Sequence, residues 1–366
     1  MKNKIWIVLL LIILIPLNVY GEFLEPVDTY MERALILEAE EGEIVEEIEG
    51  MLSQVQYVKL KIISGKYKDQ IFDVENHLSN NLAYDILVKE GDKVVVGIEE
   101  YSDDTLEVYI SDYARQSHIF YLLGVFILLI VFIGRKKGVK AVLTLAFTIF
   151  MIMKVLLPLM LKGINPIPIS VLVSIIVTII TIFIIGGVNN KSISAIIGTS
   201  SGVIIAGFIA YFVGSNVRLT GLSAEEATML MYIPQGVNFD FRSLLFSGII
   251  LGALGAIMDV GMSIASSIEE IHNANTSLTK KELFNSGMNV GKDIMGTMTN
   301  TLILAYTGSS IPLLLLFMAY ETSMIKIINL DIIATEIVRS LSGSIGLVLT
   351  IPLTAFISTI LIKKKS

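Results

Sequence analysis

The amino-acid sequence predicts a membrane α-helical bundle of about seven spans, preceded by a signal segment and a small β-rich domain outside the membrane. Three observations support this fold class. The 366 residues are 54% hydrophobic with a mean hydropathy of +0.74, whereas soluble domains are about 45–50% apolar. The apolar residues are concentrated in long runs after residue 118, as in helices that lie in lipid. The preceding segment is strongly acidic, which is typical of a translocated domain.

The N-terminus has the features of a secretory signal. Two lysines in MKNK precede the apolar run Ile5–Leu17, and Val19 and Gly21 are small enough to precede a cleavage site. Residues 1–21 are therefore predicted to be a signal peptide, with an uncleaved first anchor helix as the alternative. Either arrangement places the next segment outside the cytoplasm.

Residues 22–117 are predicted to form an acidic, β-rich extracytoplasmic domain. They hold 23 Asp and Glu against 8 Lys and Arg, a net charge of −15. The run 58–62 alternates apolar residues with lysines, as a half-buried strand does, and the runs 86–88 and 94–96 flank a Gly-Asp turn, which predicts a hairpin. Four to six short strands indicate a small barrel or sandwich, OB-like in size. Because nucleic-acid binding needs clustered Lys and Arg, no nucleic-acid partner is expected.

Residues 118–366 are predicted to be the multi-span transmembrane domain. The predicted spans are 119–134, 141–161, 167–187, 193–213, 244–264, 290–316 and 337–362. Loops on one side hold 11 Lys and Arg and loops on the other side hold five, which places the C-terminus in the cytoplasm. The segment Thr307–Pro312 interrupts the sixth span, which is either a broken helix or two short spans.

The fifth predicted span carries a stripe of small and polar residues. Its members are Gly248, Gly252, Gly255, Asp259, Ser263, Ser266 and Glu270. Spacings of three and four place them on one helix face, and the glycines allow close approach of another helix. Asp259 is costly within lipid and needs a proton, a partner or water. It is interpreted as a proton carrier, or alternatively as a neutral side chain that only joins two helices.

The sixth predicted span carries a second polar stripe. Its members are Ser286, Asn289, Asp293, Thr297 and Asn300, with Lys292 beside Asp293. The two stripes are expected to face each other and line a hydrophilic translocation path. Alternatively, Lys292 and Asp293 only mark the start of a helix at headgroup level. In the fourth span, Gly198 and Gly202 predict a face for close helix packing.

Several kinds of chemistry are not expected. The chain has no cysteine and three histidines scattered along it, so no metal site or cofactor is predicted. The zinc-protease, nucleophile-elbow and nucleotide-binding motifs are absent from the sequence. An intramembrane aspartyl pair of Asp259 and Asp293 lacks the usual flanking motif. The protein is therefore predicted not to be an enzyme.

Two stretches carry a family resemblance. GALGAIMDVGMSIASSIEEI (252–271) and ELFNSGMNVGKDIMGTMTNTLILAYTGSSIPLLLL (282–316) resemble the YibE/F-like family of bacterial membrane proteins. This implies a multi-pass protein of the cell membrane and little about its activity. The same region has a weaker similarity to proton-driven RND-type transporters and protein-export subunits, which implies that Asp259 carries protons.

The sequence thus predicts a proton-coupled transporter or export factor, acting on an unknown solute or exported polypeptide. The alternative is a membrane sensor or assembly factor that binds a partner through its outer domain. The expected partners are the lipid bilayer and either another membrane protein or a second copy of the chain.

Overall fold

The computed structural model describes residues 28–48, 51–79, 81, 83–101, 105–233, 239–320 and 323–362, and the side chains of 42–48 and 51–53 are not described. The predicted signal segment 1–21 and the terminal lysines 363–365 lie outside the described residues. The chain divides into two compact units, with the boundary after Leu128.

The N-terminal unit contains a five-stranded antiparallel sheet in the order β3-β2-β1-β4-β5. The strands are β1 (Asp28–Ile48), β2 (Met51–Ile62), β3 (Ile71–Leu78), β4 (Lys93–Glu100) and β5 (Leu106–Tyr113). The long β1 pairs with β2 along most of its length and with β4 through residues 28–35, which makes the sheet a half-barrel. The two outer strands, β3 and β5, also contact each other. Closure into an OB-like barrel stays a prediction.

Alternation along β2 places the core on one face of the sheet. Val58, Leu60 and Ile62 are buried, whereas Lys59 and Lys61 lie on the other face and are partly exposed. These buried residues pack with apolar residues of β1, including Ile36, and with apolar residues of β4. The period-2 pattern therefore predicts this strand and its buried face, because successive side chains of a strand point to opposite sides.

The predicted hairpin around Gly91 is wrong in its first half. Residues 86–88 are not a strand, although Val88 is buried. The side chain of Gln56 replaces a strand partner: its Nε2 donates to the Val88 carbonyl at 2.7 Å, and its Oε1 accepts from the Val88 N–H at 3.2 Å. Asn76 Nδ2 donates to the Ile86 carbonyl at 2.8 Å. These buried amides satisfy the backbone without a ladder.

The C-terminal part is helical. Its α-helices are α1 (Gln116–Phe150), α2 (Leu157–Leu161), α3 (Pro166–Gly186), α4 (Asn190–Asn216), α5 (Glu225–Met229), α6 (Phe241–Ala274), α7 (Lys280–Ser309), α8 (Ile311–Ala319), α9 (Met324–Ile328) and α10 (Asp331–Leu361). A π-helix, Met151–Leu156, joins α1 to α2, and a short 3-10 helix, Leu230–Tyr232, follows α5.

Five helical runs among the described residues are long and apolar enough to cross a membrane. The first, Gln116–Leu161, has 46 residues and would extend about 69 Å, twice the roughly 30 Å of a bilayer core. Arg135 breaks it with non-helical angles (φ 47°, ψ −125°), at the position of the predicted first cytoplasmic loop. Both 119–134 and 141–161 fall within this run. The count of seven spans stays a prediction.

The predicted interruption after Thr307 is a bend. Helices α7 and α8 meet at Ser310 with an angle of 61°. The nine residues of α8 rise about 14 Å, too little to cross the bilayer alone. The two helices together form a broken span or a re-entrant segment.

Helices α4, α6 and α10 form the centre of the bundle, with α3 and α7 packed against them. Small residues allow the close approach between α4 and α10. A Cβ at Gly198 would collide with Thr354 Oγ1, and a Cβ at Gly202 would collide with Thr350 Oγ1. Gly198 and Gly202 of the fourth predicted span therefore lie at a crossing of two central helices.

Candidate functional site

The two predicted polar stripes lie on the outward surfaces of α6 and α7. We call this surface the polar face. It consists of Gly248, Gly252, Gly255, Asp259 and Ser263 of α6 with Asn289, Lys292, Asp293, Gly296, Thr297 and Asn300 of α7, all of them exposed in the isolated chain. The apolar side of α6, which includes Ile257 and Ile264, is fully buried in the bundle. This polar helix surface therefore lies on the outside of the described bundle.

The two stripes were predicted to face each other, but they do not pack against each other in the structure. Helix α7 approaches α6 through the buried Gly287 and Gly291, which lie against Ile268 and Ile264. These contacts use a different side of α7 from Asp293 and Thr297, since the buried and exposed residues alternate with helical spacing. Ser266 and Ser286 are half-buried. The stripes therefore form one continuous outward surface instead of a channel enclosed within the chain.

Antiparallel packing brings the ionisable groups of the polar face to similar depths. The contacts of Gly252 with Tyr306, of Ile264 with Gly291 and of Ile268 with Gly287 set the register of the two helices. In this register Asp293 lies level with Ser263, and Asp259 lies level with Gly296 and Thr297. The two carboxylates are separated by about 5 Å along the helix axes, since each residue rises about 1.5 Å.

The charged groups of the polar face have no protein partner in the described part of the chain. Among the described residues, no ion pair or side-chain hydrogen bond involves Asp259, Lys292 or Asp293. Thr297 Oγ1 donates only to the carbonyl of Ile294 in its own helix, at 3.0 Å. In lipid such groups need water, a proton or another protein surface.

A second group of ionisable residues lies next to the polar face, where α10 meets α7. Arg339 pairs with Glu336 at 2.7 Å, and its guanidinium lies 6.0 Å from the centre of the Tyr306 ring. The Tyr306 hydroxyl in turn covers Gly252, where a side chain would collide with it. Glu336 and Arg339 are three residues apart and share one face of α10, whereas their connection to the glycine stripe joins three helices.

Sequence reasoning also missed a polar cluster where the N-terminal end of α4 meets the C-terminal end of α6. Lys191 pairs with Glu269 at 2.8 Å, and Asn190 Nδ2 donates to the Leu361 carbonyl at 2.7 Å. His272 is buried, and neither ring nitrogen has a hydrogen-bond partner among the described residues. Residue periodicity within one helix cannot reveal this cluster, because its members come from three separate helices.

Helix α3 buries a row of hydroxyl groups. Ser170, Ser174, Thr178 and Thr181 are buried, and their hydroxyls have no partner among the described residues. Their spacing of four, four and three residues indicates that they share one face of the helix. Small hydroxyl residues in membrane helices allow close packing and weak interhelical hydrogen bonds.

The described residues contain no group of three His, Asp or Glu side chains placed to hold a metal ion. The polar face offers two carboxylates, one ammonium and a set of hydroxyls and amides. Such groups exchange protons and bind water.

Comparison with known proteins gives a family. Residues 122–364 match the family described as YibE/F-like protein, and residues 32–113 match the YibE/F family N-terminal domain. No curated protein and no solved structure matches the chain. The weaker similarity to RND-type transporters is not shown by these comparisons.

Proposed function

This chain belongs to the YibE/F-like protein family, and from that premise we propose that it is a proton-coupled transporter or export factor of the cell membrane. The polar face supports the proposal, since Asp259 is exposed within the candidate span Phe241–Ala274. Asp259 is the proposed proton carrier. The proposed translocation path is lined by Ser263, Ser266, Asp293, Thr297 and Asn300.

The physical basis is the cost of a charge in lipid. An ionised Asp at the centre of a membrane helix costs about 2.5–3.5 kcal/mol on insertion scales, and more without water. Uptake of a proton or contact with water removes most of this cost. A carboxyl that alternates between these two states takes a proton from one side and releases it to the other when the protein changes its access.

The neighbouring side chains suit this role. Hydroxyls of Ser263 and Thr297 and the amide of Asn300 can hold water beside Asp259, and water chains conduct protons. Tyr306, with Arg339 and Glu336 behind it, covers Gly252 two helical turns from Asp259. We place one end of the path at this tyrosine.

The proposed orientation follows the distribution of cations. Residues 22–117 are extracytoplasmic and the C-terminus is cytoplasmic. The cargo is an unknown solute or exported polypeptide, and we propose no enzymatic reaction and no cofactor.

Asp259→Asn tests the proposal in a strain that lacks the gene. Uptake and efflux profiles of the deletion strain first define a phenotype, which the wild-type chain must restore. Asp259→Asn should abolish this restoration at a normal membrane level, and Asp259→Glu should retain part of it because the carboxyl remains. Glu225→Gln removes a carboxylate from the exposed helix α5 and serves as the control. Full restoration by Asp259→Asn would overturn the proton-carrier role.

A second candidate, a sensor or assembly factor, is favoured by a cleft on the outer domain. The cleft has a volume of about 300 Å³ and is lined by Glu38, Glu40, Tyr57, Val58, Lys59, Asp73, Val74 and Glu75. Its acidic rim suits a partner with basic groups, and we propose an OB-like closure of this domain from the contact between β3 and β5. If Asp259→Asn restores function and Glu38→Lys with Glu75→Lys does not, the second candidate replaces the first.

A further inference from the structure

The polar face lacks a covering surface among the residues that the structure describes. Asp259 is exposed within the candidate span Phe241–Ala274, and Asp293, Asn289 and Asn300 are exposed on α7, which forms a candidate span together with α8. Ionisable and amide side chains inside a membrane almost always face protein or a water-filled cavity. An apolar helix or a lipid tail offers them no hydrogen bond, so the covering surface must itself be polar.

The glycines indicate that this covering surface is a helix at close range. Glycines inside the bundle, such as Gly202, Gly261 and Gly343, each have a neighbouring heavy atom within 3.1 Å of the Cβ position. Gly248, Gly255 and Gly296 of the polar face have no heavy atom of a described residue within 4 Å of that position. Since a glycine in a membrane helix lets another backbone come near, these three positions are open to the close approach of a further helix.

The charges of the polar face and their positions along the membrane normal indicate which molecule covers it. Two copies in one membrane have the same orientation, so a two-fold axis between them runs along the membrane normal and groups of equal depth meet. Lys292 and Asp293 are consecutive residues, about 1.5 Å apart in depth. The ammonium of each copy can therefore reach the carboxylate of the other, and the amides of Asn289 and Asn300 supply both donors and acceptors.

We propose that the polar face is the interface with a second copy of this chain, in which α6 and α7 of the two copies enclose the Asp259 side chains between them. The pairing rests on polarity, open glycines and matched depth. That the enclosed space conducts protons rests in addition on the proposed function. The path is thus incomplete in one chain and is formed by two.

Because the chain has no cysteine, single cysteines can test this interface in native membranes. Gly255→Cys and Gly296→Cys introduce thiols where the chain leaves open space. Ile204→Cys is the matched control: Ile204 is 49% exposed on α4, and the contact of Gly202 with Ile257 places it close to the depth of Gly255. A disulfide requires Cα atoms within about 7 Å.

Copper-catalysed oxidation should convert at least one polar-face variant into a reducible species of twice the monomer mass, several-fold more than Ile204→Cys. No excess over the control at either position, or an adduct of another mass, would overturn the pairing. For variants that do not reach the membrane, wild-type chains with two different tags should copurify, and Gly255→Leu should abolish this while Ile204→Leu does not. A dimer combined with a fully active Asp259→Asn would support the pairing and remove only the proton role.

Discussion

Leu60→Ala should strongly destabilise the outer domain if the one-sided core described above holds it together. Leu60 is fully buried. It lies opposite Ile36 on β1 and Phe72 on β3, so three strands meet at this side chain. Truncation removes apolar burial and leaves a cavity that the paired strands cannot close by moving.

The expected loss can be estimated from these contacts. Buried Leu→Ala substitutions cost about 2–5 kcal/mol, and we take about 3 kcal/mol because strands pair with β2 on both sides. In a domain of fewer than about 100 residues, each kcal/mol lowers the melting temperature by about 4–8 °C. The melting temperature should therefore fall by about 12–24 °C.

The assay is thermal unfolding of the separately expressed domain, residues 22–115, followed by circular dichroism of its β signal. Lys59→Ala on the opposite face is the control, and it should change stability by no more than about 0.5 kcal/mol because it leaves no cavity. A fall of less than about 4 °C for Leu60→Ala, or an equal fall for both variants, would contradict the assigned core. A helical or disordered wild-type spectrum would contradict the β-domain itself.

Three further predictions concern packing, pH and topology. Gly202→Leu should lower the melting temperature of the detergent-solubilised monomer by at least the equivalent of about 1–3 kcal/mol. Gly248→Leu, with open space around its Cβ position, should leave the melting temperature unchanged. Equal melting temperatures of the two variants would refute the assigned crossing of α4 and α10. The Lys66 ammonium lies 2.6 Å from the Glu100 carboxylate and holds the pKa of Glu100 below its usual value. This pair therefore stabilises the domain above about pH 4.3, and the stabilisation is lost as the pH falls through the lowered pKa. The stability difference between wild type and Glu100→Gln, measured as urea midpoints, should therefore shrink between about pH 5 and pH 2; a constant difference would refute the link to Glu100. A reporter fused to the C-terminus should be active on the cytoplasmic side, and an outward signal would exclude the odd number of spans.

Periodicity alone predicted much of what lies within single elements. The alternation along residues 58–62 predicted a strand and its buried face, because a strand's side chains alternate whatever surrounds them. The spacing of Asp259 with three glycines and two serines predicted one helical stripe for the same kind of reason. The break after Thr307 was also predicted from the sequence.

Contacts between distant residues escaped this reasoning. Residues 86–88 have the composition of a strand, but two buried amides, Gln56 and Asn76, satisfy their backbone instead. The pairing of Lys191 with Glu269 and the burial of His272 likewise depend on which helix ends come together. Local pattern contains no information about such partners, since they are far apart in the chain.

The sequence by itself therefore determined that this protein is built for the membrane, that a separate acidic β-domain precedes its spans, and that Asp259 and Asp293 lie on polar stripes. Helical spacing says which residues share a face, but it does not say where that face points. Only the tertiary structure decided this: α4 and α10 bury the apolar side of α6, and α7 packs through Gly287 and Gly291. Because the larger apolar surfaces and the interior glycines take the contacts within the chain, the polar stripes are left on the outside.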